Sequence, residues 1–359
     1  MQLLAQCRPG FESEAADEWT AKIARAKGNS QNAFEKESGY VVIDAKAPRD
    51  YYGKLHWKDL IFSKQWWIIS ATETLPNSDR LTPLLALAHK IRGEQDATSF
   101  SEVVFEYPDT NDGRQVTGFL SRFEPLLTEA LERESLLDEE TDGPRLMFFF
   151  ASATQVYAGA ATERSAPWPM GFPRLRFPSE APSRSTLKLA EAFEAFLTPR
   201  EQDLYLRSGM HAVDLGAAPG GWTWQLVSRG MIVEAIDNGP MKGAVLGHPS
   251  VRHLQVDGFR YRPQQTADWL VCDMVEQPSR IAALVLDWVK EDCARQCIFN
   301  LKLPMKARFT EVEQCLALLR EGLDAAGIGA RILARHLYHD REEITVYLRR
   351  EGKSKKTSW

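Results

Sequence analysis

Apolar residues recur along this chain with two different periods, and the places where one period gives way to the other outline its elements. Short apolar runs at Leu3–Cys7, Tyr40–Ile43 and Ile61–Ile69 predict strands. Between the first two, Phe11, Ala15, Trp19 and Ile23 repeat at helical spacing just after the Pro9-Gly10 break. A short helix is expected near Pro48–Lys54. The resulting β-α-β-(α)-β order suits a ferredoxin-like subdomain over residues 1–75. Residues 76–161 begin again with a helix marked by Leu84, Leu87, Ala88 and Ile91, and then a strand at Val103–Tyr107. A longer helix from Gln115 to Arg133 and β runs at Leu146–Ser152 and Thr154–Gly159 complete a second α+β unit.

Residues 162–184 lack either period. Five prolines between Pro167 and Pro182 predict an extended, stiff spacer. Its arginines 164, 174, 176 and 184 are interleaved with Trp168, Phe172 and Phe177. That mixture suits a segment that tracks phosphates and stacks bases, and equally one that lays its aromatics on neighbouring domain faces. From residue 185 to 359 apolar strand runs alternate with helical ones, the mark of a doubly wound α/β sheet. Ser185 is a natural N-cap for a helix with Leu187, Ala190, Phe193 and Phe196 on one face. Strands are expected at Met231–Ile236, Val251–Val256, Ala267–Cys272, Gln296–Leu301, Ala330–His336 and Ile344–Arg349, with a helix over Phe309–Ala326.

Composition changes this picture little. The chain has 359 residues, 44% hydrophobic and 26% charged, enough for more than one core. Five scattered cysteines form neither a disulfide framework nor a C-x-x-C metal pair, and no metal site is expected. No apolar run reaches the eighteen residues of a membrane span, and the N-terminus lacks a signal-peptide pattern. A cytoplasmic protein with no membrane attachment is expected, and no feature points to a protein partner. The net charge of −5 is unevenly spread. Residues 1–160 hold 17 Lys+Arg against 25 Asp+Glu, whereas residues 161–359 hold 27 against 24. Local basic clusters can attract a polyanion despite the negative total, so charge alone excludes no nucleic-acid partner.

The most informative stretch is Met210–Gln225, M-H-A-V-D-L-G-A-A-P-G-G-W-T-W-Q. A short apolar run ends at Asp214, turns through Gly216, Ala218, Pro219, Gly220 and Gly221, and enters an aromatic segment of helical character. This is a first βα unit whose small residues admit a ligand close to the backbone. Neither G-x-G-x-x-G nor a phosphate loop is present. Acidic residues then close three successive strands: Asp237, Asp257 and Asp273. An acid at the second strand tip suits the hydroxyls of a nucleoside ribose. Asp273 is followed by M-V-E-Q-P rather than the [DNS]-P-P-aromatic run with which base N-methyltransferases stack a flipped base.

The run D-L-G-A-A-P-G-G-W-T resembles motif I of the S-adenosylmethionine-dependent, FtsJ-like ribose 2′-O-methyltransferases. The S-R-x-x-x-K-L pattern around Lys188 resembles their entry helix, N-L-K-L-P their strand carrying Lys302, and R-E-E-I-T-V-Y the start of their last strand. The resemblance implies a catalytic Lys-Asp-Lys-Glu tetrad of Lys188, Asp273, Lys302 and Glu343, with Glu342 a rival for the last place. It also implies cofactor contacts at Ser185, Gly216, Ala218, Pro219, Gly220, Gly221, Asp237, Asp257 and Asp273. Residues 76–161 resemble a THUMP-type RNA-binding domain in element order. Taken whole, the chain resembles the bacterial RlmM family, which implies methyl transfer from S-adenosyl-L-methionine to the ribose 2′-hydroxyl of a cytidine in 23S rRNA or a large-subunit precursor. Other readings stay open: an rRNA-binding assembly factor with a vestigial methyltransferase fold, a 2′-O-methyltransferase of another RNA, or a small-molecule O-methyltransferase. Two roles are open for Lys302. A neutral lysine, its pKa depressed by the Lys188 ammonium, would act as general base; a charged one would orient and polarise the hydroxyl.

Overall fold

The computed structural model describes residues 1–47 and 49–353. Pro48 and the basic tail residues Lys355 and Lys356 lie outside them. The chain divides into two compact units, Met1–Phe172 and Pro173 onward, and each contains a seven-stranded sheet.

The first unit runs β1 (Gln2–Gln6), α1 (Glu12–Arg25), β2 (Asn29–Ala33), β3 (Tyr40–Lys46), α2 (Arg49–Tyr52), β4 (Gln65–Thr74), α3 (Leu81–Glu94), β5 (Glu102–Glu106), α4 (Asn111–Arg114), α5 (Thr117–Arg133), β6 (Arg145–Phe150) and β7 (Gln155–Ala161). The sheet order is β2-β3-β1-β4-β7-β6-β5. The regions before and after residue 75 therefore share one sheet, joined where the ten-residue β4 pairs with β1 at its start and with β7 further along. Gly159 permits that junction, because a Cβ there would lie 1.9 Å from the Ile68 carbonyl oxygen.

One local expectation is corrected here, and one strand was not expected. The aromatic strand begins at Gln65, not Ile61, because the amides of Ile61, Phe62 and Ser63 turn to the buried Glu18 carboxylate at 2.5, 3.1 and 3.3 Å. Burial raises the pKa of that carboxyl even though these amides favour its charged form. Strand β2, N-S-Q-N-A, has no apolar alternation to announce it; it is an edge strand held by β3 alone. Trp66 and Trp67 are 2% and 1% exposed and serve the core.

The spacer reading of residues 162–184 is also revised. Residues 162–172 pack into the first unit: Ser165 Oγ donates to the Trp66 carbonyl at 2.7 Å, and Trp168 meets Trp57 edge-on at 5.3 Å. Phe172 is 2% exposed. Trp168 and Phe172 are thus spent on packing, while Phe177 remains exposed.

The second unit runs α6 (Thr186–Phe196), α7 (Pro199–Tyr205), β8 (His211–Leu215), α8 (Gly221–Val227), β9 (Ile232–Ile236), β10 (Val251–Leu254), β11 (Ala267–Cys272), α9 (Pro278–Lys290), β12 (Ala294–Lys302), α10 (Arg308–Ala325), β13 (Ile328–Arg335) and β14 (Glu343–Lys353). The order is β10-β9-β8-β11-β12-β14-β13. The five strands from β10 to β12 are parallel, and β14 inserts antiparallel between β12 and β13. One face is covered by Leu189, Phe193 and Phe196 of α6 with Trp222 and Leu226 of α8, which pack on Ala212, Trp269, Ile298 and Tyr347. Strand order reverses at β8, so the carboxyl ends of β8 and β11 flank the crevice in which ligands of this architecture sit. Strand β10 stops at Leu254, two residues short of expectation, and Asp257 falls in the turn that follows.

Candidate functional site

The βα unit takes the shape its glycines require. Gly216 has φ +78, and a Cβ there would come within 2.8 Å of Met274 Cγ and 3.1 Å of the Met274 amide nitrogen. At Gly221 a Cβ would fall 2.2 Å from Ser185 Oγ and 2.4 Å from Ser183 Oγ. Those two hydroxyls are bonded to each other at 2.6 Å. Ser185 occupies the position before α6 but has helical φ/ψ and makes no capping bond. The expected N-cap is absent, because the hydroxyl is turned to Ser183 and packs on the Gly221 turn.

Asp237 ties the second strand tip to this turn. Its carboxylate accepts from the Ala218 amide at 3.0 Å and the Gly239 amide at 2.7 Å. Asp257 is exposed and accepts from Phe259 N at 2.9 Å within its own turn. Beneath the turn, Asp214 is wholly buried; its Oδ2 accepts from Thr223 Oγ1 at 2.6 Å, and its Oδ1 has no partner among the described residues. Burial, helped by the negative charges of Asp273 and Asp237, pushes its pKa up to about 7 although the Thr223 bond opposes this. A cradle closed to side chains, a carboxylate at the next strand tip and an orphaned buried oxygen fit a nucleoside-bearing ligand with polar groups. If the cradle takes the S-adenosylmethionine that the sequence resemblance implies, Asp237→Ala is expected to weaken its binding by about 10- to 100-fold, the worth of charge-assisted hydrogen bonds. It should also lower the melting temperature, because the Ala218 and Gly239 amides lose their acceptor. Unchanged affinity by calorimetry would remove Asp237 from the site.

Beside this cradle four charged side chains from four elements converge. Lys188 comes from α6, Asp273 follows β11, Lys302 ends β12 and Glu343 begins β14, directly paired with Lys302 in the sheet register. Lys302 Nζ donates to Asp273 Oδ1 at 2.5 Å and to Glu343 Oε2. Lys188 Nζ lies 3.4 Å from Asp273 Oδ2 and bonds Glu343 Oε1. The two carboxylates and two ammoniums alternate, and each contacts both groups of opposite sign. Glu342 instead pairs with Arg308 at 2.7 Å, so the geometry selects Glu343. The four side chains are only 6–23% exposed, too sheltered for strong screening yet open enough to touch a ligand.

The charge state of Lys302 follows from this pairing. Burial penalises its ammonium, but the charges of Asp273 and Glu343 and the bonds to them outweigh that penalty, and its pKa is raised above the ordinary lysine value. The depression that the general-base alternative requires is opposed, because each lysine is separated from the other by a carboxylate. Cys272 is fully buried on the face opposite Asp273, and burial pushes its thiol up to about 12.

Sequence reasoning missed the layer behind the tetrad. Asn300 Nδ2 donates to Asp273 Oδ1 at 3.0 Å, and Thr345 and Asp340 stand behind Asn300. Glu191, one turn beyond Lys188 on α6, accepts from the amides of Tyr338 and His339 at 2.7 and 2.9 Å. The only sequence signal was a charge set in an otherwise apolar helix face, L-A-E-A-F.

Residues 181–316 match the FtsJ-like methyltransferase family, residues 1–67 the RlmM ferredoxin-like domain, and residues 79–162 the N-terminal domain of ribosomal RNA large subunit methyltransferase M. The ribosomal RNA large subunit methyltransferase M of Laribacter hongkongensis is 47% identical over 348 residues, covering 97% of this chain and 96% of that protein. Its namesake from an Azoarcus species is 48% identical over 355 residues, covering 96% and 95%. That of Pseudomonas aeruginosa is 45% identical over 357 residues, covering 97% and 98%.

Proposed function

The chain belongs to the ribosomal RNA large subunit methyltransferase M family and is an rRNA methyltransferase, and from that premise we propose that it methylates the ribose 2′-hydroxyl of a cytidine in 23S rRNA, with S-adenosyl-L-methionine as donor. The observation that carries this reading is the alternating Lys188-Asp273-Lys302-Glu343 cluster beside the glycine cradle.

In this reading Ser185, Gly216, Ala218, Pro219, Gly220, Gly221, Asp237, Asp257 and Asp273 hold the cofactor. When bound, S-adenosylmethionine supplies a methyl group activated by its sulfonium charge. Asp237 is the acceptor for the ribose hydroxyls of its nucleoside, at the edge of the turn it braces. Lys302, charged, donates a hydrogen bond to the rRNA 2′-oxygen, aims its lone pair, and stabilises the negative charge that grows on that oxygen as the hydroxyl proton passes to solvent water. Asp273 and Glu343 fix that ammonium and keep it charged, while Lys188 balances their negative charge. A sheltered site strengthens each of these interactions relative to water.

The test is transfer of labelled methyl from S-adenosylmethionine to unmodified 23S rRNA. Label is expected in a nucleotide whose 3′ linkage resists alkali, the mark of a 2′-O-methyl ribose. Label that stays with the base after alkaline hydrolysis to ordinary mononucleotides would sink the ribose assignment.

A further inference from the structure

Two apolar side chains beside the tetrad stand almost wholly in solvent. Met305 is 94% exposed and Val275 89%, whereas the next most exposed large apolar side chain among the described residues, Leu246, is 68%. Single apolar residues on a surface are ordinary. The placement of these two is not, because each follows a member of the tetrad: Val275 comes two residues after Asp273, and Met305 three after Lys302. Both stretches leave the carboxyl ends of β11 and β12, which are parallel neighbours, and Asp273 and Lys302 are themselves bonded at 2.5 Å. Two and three residues of chain reach at most about 7 and 11 Å, so both side chains stand at the rim of the tetrad.

Neither exposure comes from a frayed segment. Met305 lies in the connection from Leu303 to Ala307, which is closed at both ends. The Leu303 amide donates to the Glu342 carbonyl at 2.8 Å, and Arg308 pairs with the Glu342 carboxylate at 2.7 Å. Before Val275, the Asp273 amide donates to the Leu215 carbonyl at 3.2 Å, and the Met274 side chain lies against Gly216 and Gly258. After it, the Glu276 carboxylate accepts from the Gln277 amide at 2.8 Å and from Arg280 at 2.5 Å. The chain thus turns Met274 toward the cradle and holds Val275 out.

We propose that Val275 and Met305 form an apolar contact for unstacked rRNA bases next to the nucleotide that is methylated. The four tetrad side chains are only 6–23% exposed, so a ribose that touches Lys302 has left the regular stack of its strand. The bases beside it then show a bare face to water. A thioether and a branched pair of methyl groups cover such a face without asking for a particular base. The inference rests on the proposed reading of the tetrad as the place where the ribose is methylated.

The experiment uses the full chain and unmodified 23S rRNA. Single-turnover methylation, rRNA affinity at several salt concentrations, S-adenosylmethionine affinity and melting temperature are measured for each variant. Side chains this exposed can be changed with little effect on stability. Met305→Ser and Val275→Ser are each expected to weaken rRNA binding by about 10-fold, the effect of leaving one such side chain unburied. The rate at saturating rRNA, the cofactor affinity and the melting temperature should stay as they are. The salt dependence should also keep its slope, because no phosphate contact is lost. Met305→Leu, which preserves the apolar surface, should bind like the unaltered protein. Unchanged rRNA affinity in the protein carrying both serines, a loss that Met305→Leu shares, or a weakening that comes with a shallower salt slope overturns the proposal. Lys302→Ala separates it from the reading on which it rests. An active Lys302→Ala defeats the tetrad, whereas an inactive one beside normal rRNA binding by the double-serine protein defeats the rim alone.

Discussion

Lys302→Ala is expected to abolish methyl transfer, lowering the single-turnover rate by about 10³-fold or more, beyond what losing one neutral donor costs. The ammonium is bonded at once to Asp273 and Glu343 where β12 and β14 pair. Its loss leaves two carboxylates facing Lys188 alone, so the site turns net negative just where negative charge must develop on the substrate oxygen. Cofactor affinity should remain close to that of the unaltered protein. Among the described residues Lys302 bonds Asp273 and Glu343, not the Gly216–Gly221 turn, and an extra negative charge does not disfavour a cationic ligand. Isothermal calorimetry and single-turnover methylation of the same preparation separate the two effects. Substantial transfer by Lys302→Ala at neutral pH would refute the site.

The pH profile distinguishes the two roles Lys302 was given. A general base would have to lose its proton, and the rate would climb with pH until its pKa was passed. The pKa is raised instead, so lysine deprotonation should produce no rise between about pH 6 and 9. The same shift has a stability consequence of definite sign. A group whose folded pKa lies above its unfolded value stabilises fully below the unfolded value, and that contribution is lost as pH climbs through the folded value. Denaturant midpoints should therefore show no loss from this group near neutrality and a loss in the alkaline lysine range that Lys302→Ala removes.

Much of this site was legible because its parts are tied to strand ends. An apolar run of five or six residues places the residue that follows it at the carboxyl end of a strand, and Asp237, Asp273 and Lys302 were placed in that way, while the roles given to Asp273 and Lys302 came from the family resemblance. The choice between Glu342 and Glu343 was not legible, since it depends on the register of β14 against β12, which is a long-range pairing. Helix α7 escaped although T-P-R-E carries both a capping box and a proline at its first turn; it has no buried residue and so no periodicity to detect. Strand β2 escaped for the same reason at a sheet edge. The buried Asn300, Thr345 and Asp340 behind Asp273 were invisible because buried polar residues in a strand look like interruptions until their partners are in place.

Gly221→Ala should inactivate the enzyme through the start of α6, which packs against it. As a helix residue, alanine is intrinsically favoured over glycine by about 1 kcal/mol, so the backbone gives no reason for harm. The harm is steric. The added methyl would lie 2.2 Å from Ser185 Oγ, 2.4 Å from Ser183 Oγ and 3.0 Å from the Thr186 amide nitrogen. The serine hydroxyls can rotate, but the amide belongs to α6 itself, and Gln225 of α8 holds Thr186 Oγ1 at 2.9 Å. The start of α6 must therefore retreat, and Lys188 lies two residues further along it. Its 3.4 Å approach to Asp273 would be lost together with its bond to Glu343. The expected result is a fall in methylation of about 100-fold or more, the cost of a misplacement near 1 Å, with weaker cofactor binding. Overpacking costs about 1–3 kcal/mol, which a domain of this size survives. Adding Ser185→Gly to Gly221→Ala relieves the shortest contact and should recover part of both properties. If Gly221→Ala alone binds cofactor and methylates rRNA normally, α6 and the Gly221 turn are not packed as tightly as their geometry requires.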